Sequence, residues 1–143
     1  MPKRITIFGA TGQQGGSVLH SLSQHTSTSP SPFTLRALTR NPLSPTSQSL
    51  SSSGIEVVKA DGWDKQSLIT AFSDTWAVFA NTNSDDPIFG EGEGGKREVD
   101  LGRNIVDAAV EAGVKVLVWS GMGSATEASR GKVAVDAFDG TYN

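Results

Sequence analysis

A glycine-rich loop near the N-terminus carries the clearest chemistry in the sequence. Residues 9–15 read Gly-Ala-Thr-Gly-Gln-Gln-Gly, and they follow the apolar residues 5–8 and precede a helical pattern. Glycines allow a tight turn in which backbone N–H groups point at a phosphate, while the next helix directs the positive end of its dipole toward it. At a strand-to-helix turn, this spacing predicts a pyrophosphate site. We assign to this site Gly9, Thr11, Gly12, Gln13, Gln14 and Gly15.

A basic residue after the second predicted strand indicates which dinucleotide would bind. Proteins that bind NAD usually have an Asp or Glu here, which accepts a hydrogen bond from the ribose 2′-hydroxyl. The sequence instead reads Thr-Arg-Asn-Pro at 39–42, with no acidic residue nearby, and the Arg40 guanidinium can donate two hydrogen bonds to a 2′-phosphate. We therefore predict that the chain binds NADP(H), with NAD(H) as the second candidate, and that Arg40 and Asn41 belong to the site. The alternative is that Arg40 is a solvated loop cation, and Arg36 is expected on the sheet face or edge.

Polar residues also follow the third and fourth predicted strands. After the third strand, residues 61–64 read Asp-Gly-Trp-Asp, in a loop of the kind that commonly passes the adenine. Asp64 either contacts the adenine or caps the next helix through its carboxylate, and we favour the cap. The fourth strand ends in residues that can line the nicotinamide-ribose side, namely Asn81, Thr82 and Asn83. A simple strand-to-loop turn explains that composition equally well.

The sequence offers little catalytic machinery. A short-chain dehydrogenase uses a Tyr activated by a Lys four residues later, whereas the single tyrosine here is Tyr142, at the penultimate position. Ser120 follows the fifth strand, where such enzymes often have a polar group, but it lacks a Tyr–Lys partner. His20 and His25 are expected at the surface, so we assign no catalytic residue.

Histidines and acids lack the spacing of a metal site, and the absence of cysteine excludes disulfides and thiolate sites.

Alternating strand and helix patterns position these residues. Apolar runs predict five strands, over Arg4–Phe8, Phe33–Thr39, Ile55–Lys59, Trp76–Ala80 and Lys115–Trp119. Helices are predicted from Gln13, around Thr46–Leu50, and over Lys65–Phe72, Arg97–Ala112 and Gly131–Ala137. In the fourth of these, the apolar residues at helical spacing are Val99, Ile105, Val106, Ala109 and Val110. Right-handed crossovers then give a Rossmann-type doubly wound α/β sheet in the order 3-2-1-4-5, with the site at the ends of strands 1 and 4.

Length and composition fit a single domain over residues 1–143 with a core of its own. The sequence shows neither a signal peptide nor an apolar run of roughly 20 residues, so we expect a cytoplasmic or nuclear protein without membrane association. All 15 acidic residues lie after residue 55, whereas the first 55 residues hold four of the 12 basic ones. A basic half beside the glycine loop suits a small polyanionic ligand. Four dispersed cations do not form a basic stripe, so direct binding of nucleic acid is not expected.

Several of these segments together resemble the NmrA-like family, a group of atypical short-chain dehydrogenase relatives. They are the glycine loop with residues 16–18, the run Arg-Ala-Leu-Thr-Arg-Asn-Pro at 36–42, the pair Thr-Asn at 82–83, and residues 119–121 and 137–140. The resemblance covers nearly the whole chain and implies a domain that binds NADP(H) through the glycine loop and Arg40. It also implies that Asp64 and Lys65 lie near the adenine, and that Thr82 and Asn83 line the ribose side.

The resemblance leaves two functions open. Some members are transcriptional regulators or redox sensors that bind the dinucleotide without turning it over, and others are quinone- or phenylcoumaran-type reductases. Asp100 and Thr141 stand where members often have Lys, and the chain corresponds to the N-terminal half of longer members, without their substrate-binding lobe. We therefore predict first a regulatory protein that acts through a protein partner, and alternatively an NAD(P)H-dependent reductase. Residues 84–95 are our candidate for a segment that orders on binding, and the sheet edge beyond strand 5 favours a homo-oligomer.

Overall fold

Five parallel strands form the centre of the molecule. The computed structural model describes residues 1–26, 31–83, 86–89, 96–121 and 125–134, and its strands lie side by side in the order β3-β2-β1-β4-β5. Their bounds are β1 Lys3–Ile7, β2 Phe33–Thr39, β3 Glu56–Lys59, β4 Ala77–Asn81 and β5 Val116–Ser120. The predicted doubly wound sheet and its strand order are confirmed. The order reverses between β1 and β4, and a crevice lies beyond the carboxyl ends of these strands.

The helices begin and end at residues that suit those positions. Their bounds are α1 Gln13–Thr26, α2 Pro45–Ser52, α3 Lys65–Ala71, α4 Glu98–Glu111 and α5 Ala125–Ala128. Ser44 caps α2, and the Asp64 side chain caps α3 by accepting from the Ser67 backbone N–H. After α4, Gly113 has a φ of +74°, the left-handed conformation that commonly follows a helix. Within the described ranges, no helix is long and apolar enough to cross a membrane.

Alternate residues of the strands face two separate apolar cores. On one side, Leu19 of α1 packs with buried residues of β1, β2 and β4. On the other side, Leu68 of α3 and Ile105 of α4, both fully buried, pack with residues of β2 and β4. Helices therefore cover both faces of the sheet, which explains why the strands read as nearly continuous apolar runs. This packing fixes the carboxyl ends of β1 and β4 relative to one another.

A buried arginine ties β2 to β3 and to the end of α3. Arg36 is paired with Glu56 in the strand register, and its Nε and Nη2 donate to the two carboxylate oxygens at 2.9 and 3.1 Å. Its Nη1 donates to the backbone carbonyl oxygens of Ala71 at 2.7 Å and Ser73 at 3.0 Å. The hydrogen bonds from Arg36 hold the pKa of Glu56 below its ordinary value. Arg36 lies in the sheet, as expected, and its hydrogen bonds stabilise the fold.

The C-terminal helix differs from its prediction over Gly131–Ala137. Residues 131–134 are not helical, and the short helix α5 precedes them instead. Arg130 and Gly131 have φ values of 54° and 81°, and a left-handed backbone at these positions ends the helix before the predicted segment. Residues 135–137 lie outside the described part, as do Thr141, Tyr142 and most of the segment 84–95.

The buried face of α4 also differs from the predicted periodicity. Its buried apolar residues are Leu101, Ile105, Ala108 and Ala109, which form one stripe at helical spacing. Val106 and Val110, which belong to the predicted set, are 39% and 74% exposed. Ile105 and Ala109 of the predicted set are buried, whereas the prediction did not include Leu101 and Ala108.

Candidate functional site

A cleft of about 240 Å³ opens at the carboxyl edge of the sheet, where the strand order reverses. Loops that follow four of the five strands line it. Its walls include the start of the glycine loop, the end of β2, the turn after β3 and the end of β4. The lining residues assigned from the sequence are Gly9, Thr11, Gly12, Arg40, Asn81, Thr82 and Asn83. The fold therefore brings together seven of the thirteen assigned residues at the place that the strand order predicts.

The glycine loop packs so closely against its neighbours that side chains would not fit at Gly9 or Gly15. Gly9 has a φ of +74°, and a Cβ atom there would lie 2.8 Å from Asn81 Oδ1. A Cβ atom on Gly15 would lie 2.2 Å from the carbonyl oxygen of Gly9, so the start of α1 presses directly on the loop. The Gly12 backbone N–H donates to the Gly9 carbonyl at 3.0 Å. Gly9 and Gly12 line the cleft near the N-terminus of α1, a position that suits a phosphate.

The other glycine-loop residues lie at the side of the cleft. Gln13 and Gln14 are the first residues of α1 and are exposed. The Gln14 side-chain oxygen accepts a hydrogen bond from Ser120 Oγ at the end of β5. This contact links the glycine loop to β5, on the far side of β4. It places Ser120, which the sequence offered as a polar group without a partner, beside the predicted pyrophosphate site.

Arg40 is an exposed cation at the end of β2, on the cleft wall. Hydrogen bonds hold the loop that follows it: Asn41 N–H donates to Thr39 Oγ1 at 3.1 Å, and Ser47 Oγ donates to the Asn41 carbonyl at 2.9 Å. Ser47 is fully buried, so this loop is anchored to α2. In the described part of the chain, no hydrogen bond or ion pair engages the Arg40 guanidinium. Its five N–H donors are therefore available to an anion in the cleft.

The end of β4 supplies acceptors to the cleft. Asn81 Oδ1 is buried and has no hydrogen-bond donor among the residues that the structure describes. The Thr82 hydroxyl donates to the carboxylate of Glu98, in the first turn of α4. Glu98 was not assigned from the sequence, because α4 begins with two acids, Glu98 and Asp100, and their spacing does not show which one turns inward.

Asp64 and Lys65 do not line the cleft, and their side chains contact other residues. Asp64 Oδ1 accepts from Ser67 N–H at 3.1 Å, so the helix-cap interpretation is confirmed. Lys65 Nζ lies 3.0 Å from Glu111 Oε2, and this hydrogen bond raises the pKa of Lys65. Their contact with an adenine stays a prediction.

An aromatic wall forms the side of the cleft at the turn after β3. Trp63 meets Phe89 edge to face, with ring centroids 6.2 Å apart, and Lys96 Nζ lies 4.9 Å from the Trp63 ring centroid. Gly62 beside it has no room for a side chain, since a Cβ atom would lie 2.4 Å from Leu101 Cδ1. The sequence showed an aromatic residue here, but not that segments 86–89 and 96–97 would pack on it.

These features fit a phosphorylated dinucleotide. The glycine loop borders the cleft at the N-terminus of α1, Arg40 supplies a cation, and Asn81 Oδ1 has no donor among the described residues. Anionic, planar and hydroxyl-bearing groups of such a ligand would each meet a suitable surface. Among the described residues, no group of three or more His, Cys, Asp or Glu side chains could hold a metal ion.

Comparison with known proteins shows which family this sequence matches and which solved structures share its fold. The sequence model of the NmrA-like family matches residues 1–143. FrzB of Cladobotryum sp., an NmrA-like family domain-containing oxidoreductase, is 49% identical over 138 residues, which are 96% of this chain and 39% of FrzB. The chain thus spans about two fifths of the length of the curated relatives it matches.

Two solved structures share the fold. The NADPH-dependent quinone oxidoreductase QOR2 of Escherichia coli, complexed with NADPH, superposes with a TM-score of 0.65 at 30% identity, over 82% of this chain and 36% of that one. NmrA, a negative transcriptional regulator in complex with NADP, superposes with a TM-score of 0.69 at 19% identity, over 88% of this chain and 35% of that one. At that identity the second likeness concerns the fold alone.

Proposed function

Because this chain belongs to the NmrA-like family, we propose that its cleft binds NADP(H) and that it forms the dinucleotide-binding part of an oxidoreductase. The observation that carries the proposal is that the glycine loop at the N-terminus of α1 and the unengaged Arg40 guanidinium line the same cleft. Relatives that are 49% and 45% identical carry the name oxidoreductase, and QOR2 is complexed with NADPH.

Each part of the cleft has a defined task in this proposal. The glycine loop and the N-terminus of α1 bind the pyrophosphate, and Arg40 binds the 2′-phosphate that distinguishes NADP(H) from NAD(H). Trp63 and Gly62 border the adenine side, and the end of β4 borders the nicotinamide ribose. The bound dinucleotide supplies a hydride, while residues 1–143 bind and orient it.

Isothermal titration calorimetry with NADPH and NADH tests the assignment of the nucleotide. We expect the wild type to prefer NADPH by about tenfold or more, since hydrogen bonds to a charged group contribute about 1.5–3 kcal/mol. Arg40→Ala should remove most of this preference and leave NADH binding nearly unchanged. Lys59→Ala is the matched control, because Lys59 is an exposed cation at the end of β3 outside the cleft lining. Equal affinities of the wild type for the two nucleotides would refute the proposal.

A regulatory role is the second candidate. It is favoured by the sequence of residues 1–143, which lacks a Tyr-x-x-x-Lys pair. In this case NADP(H) would shift the affinity of the protein for a partner, which requires that it bind two states of the protein unequally. Both candidates share the same cleft, and they differ in whether hydride leaves the bound nucleotide.

A further inference from the structure

We infer that Glu98 is a positioning residue for the dinucleotide, because it holds the Thr82 hydroxyl so that Thr82 Oγ1 can only accept hydrogen bonds from a ligand in the cleft. The inference rests on the proposed binding of NADP(H). It concerns the ribose–nicotinamide end of that ligand, whereas the glycine loop and Arg40 are proposed to bind its phosphates.

Glu98 occupies an unusual place for a carboxylate. The residue is only 8% exposed, although no basic side chain in the described ranges forms an ion pair with it. Its position in the first turn of α4 places the carboxylate at the positive end of the helix dipole. A buried carboxyl group is costly unless it is hydrogen-bonded. Its hydrogen bond from Thr82 connects it to the cleft.

The contact determines what Thr82 can offer to a ligand. A hydroxyl has one proton to donate and two lone pairs that accept. Since the proton of Thr82 is directed at Glu98, a lone pair is what remains for the cleft, which Thr82 lines. The hydroxyl of an unanchored threonine could instead turn and donate.

Asn81, the preceding residue, provides a second acceptor through its Oδ1. It is buried and lacks a donor among the described residues, and it lies next to Gly9. Acceptors from two consecutive residues of the cleft lining suit a ligand end that carries several donors, such as ribose hydroxyls and a primary carboxamide. They disfavour a phosphate, which is itself an acceptor. Glu98 thus helps to orient the dinucleotide with its ribose–nicotinamide end at β4 and its phosphates at the glycine loop.

Calorimetry with two probes tests the role of Glu98 in the 143-residue chain. The probes are NADPH and adenosine 2′,5′-bisphosphate, which lacks the ribose–nicotinamide end. We expect Thr82→Val and Glu98→Leu each to weaken NADPH binding about five- to tenfold, the effect of one hydrogen bond, and to leave binding of the bisphosphate unchanged. Because Glu98 acts through Thr82, the double variant should bind NADPH no more weakly than the single ones. Glu98→Gln keeps an acceptor oxygen and should restore most of the affinity.

Asp100→Asn is the matched control, because Asp100 is the other acid of the first turn of α4 and pairs with Arg97. It should bind both probes as the wild type does. Unchanged NADPH affinity in Glu98→Leu would overturn the inference and leave the proposed function standing. Equal weakening of both probes, or additive effects in the double variant, would also overturn it and assign Glu98 a structural role. Failure of the wild type to bind NADPH would overturn the proposed function itself.

Discussion

Arg36 and Arg40 show how position decides the task of a residue. Both belong to the first 55 residues, which contain no acid. Arg36 points into the structure, where a carboxylate and two carbonyl oxygens engage it. Arg40 lies just past the end of the strand, exposed on the cleft wall. The strand pattern predicted this difference, since residues inside a strand alternate between faces while the first loop residue is at the sheet edge.

The Arg36–Glu56 pair predicts how stability depends on pH. Glu56→Gln should lower the free energy of unfolding at pH 7 by about 1–2 kcal/mol, because it replaces a charged partner of a buried guanidinium, while the half-exposed carboxylate limits the effect. The pKa of Glu56 is lowered from 4.5 in the folded state. The contribution of the pair is therefore full above pH 4.5 and is lost as the pH falls through the lowered pKa.

Urea denaturation of both proteins between pH 7 and pH 3 measures this difference. The gap between wild type and Glu56→Gln should narrow as the solution becomes acidic. Glu111→Gln is the control, since its pair with Lys65 is exposed and should contribute little. A gap that stays constant down to pH 3 would contradict the assigned role of the pair.

At the scale of elements, the contact between the glycine loop and α1 depends on the absence of one side chain. Gly15→Ala would drive a methyl group into the Gly9 backbone, 2.2 Å from its carbonyl oxygen. We expect a loss of about 1–3 kcal/mol in the free energy of unfolding, as for other overpacked sites, together with weaker NADPH binding. Gly16→Ala is the matched control, because the nearest atom would lie at 3.5 Å and alanine favours a helix. Thermal unfolding and calorimetry on both variants measure the contrast, and similar behaviour of the two would contradict this account of the loop.

The sequence predicted the elements better than the contacts between them. The five strands and their order follow from alternating patterns and right-handed crossovers, and the point where that order reverses predicts the position of the cleft. The buried face of α4 was predicted in part: Ile105 and Ala109 are buried, but Val106 and Val110 are exposed. Thr82 and Glu98 are 16 residues apart in the sequence, and no local pattern predicts that their side chains meet. Periodicity indicates approximately which side of an element is buried, but it does not show which partner that side meets.

At the scale of the whole molecule, turnover separates the two candidate functions. From the proposed oxidoreductase function we expect NADPH to be oxidised in the presence of an electron acceptor, and a quinone panel monitored by loss of reduced nicotinamide absorbance measures it. Arg40→Ala should raise the KM for NADPH and change kcat less, because the 2′-phosphate lies away from the reacting ring. Tight NADPH binding without turnover on any acceptor would favour the regulatory role instead.

One edge of the molecule bears on its assembly. Val106 and Val110 of α4 and Val116 and Val118 of β5 are between 37% and 74% exposed, and β5 pairs with β4 alone among the described strands. Apolar edges of this kind favour association. Formation of a homo-oligomer stays a prediction from the sequence, and these four valines are where we expect it to occur.

The aromatic wall gives the cleft an optical property. Trp63, one of three tryptophans, lies on the cleft lining with Phe89 at its edge and Lys96 near its ring. Trp76 lies under Lys3, at the opposite end of the sheet. Indole emission overlaps the absorption of reduced nicotinamide, so a bound NADPH would quench Trp63 by resonance energy transfer. The intrinsic fluorescence of the protein is therefore a label-free reporter of ligand binding in the cleft.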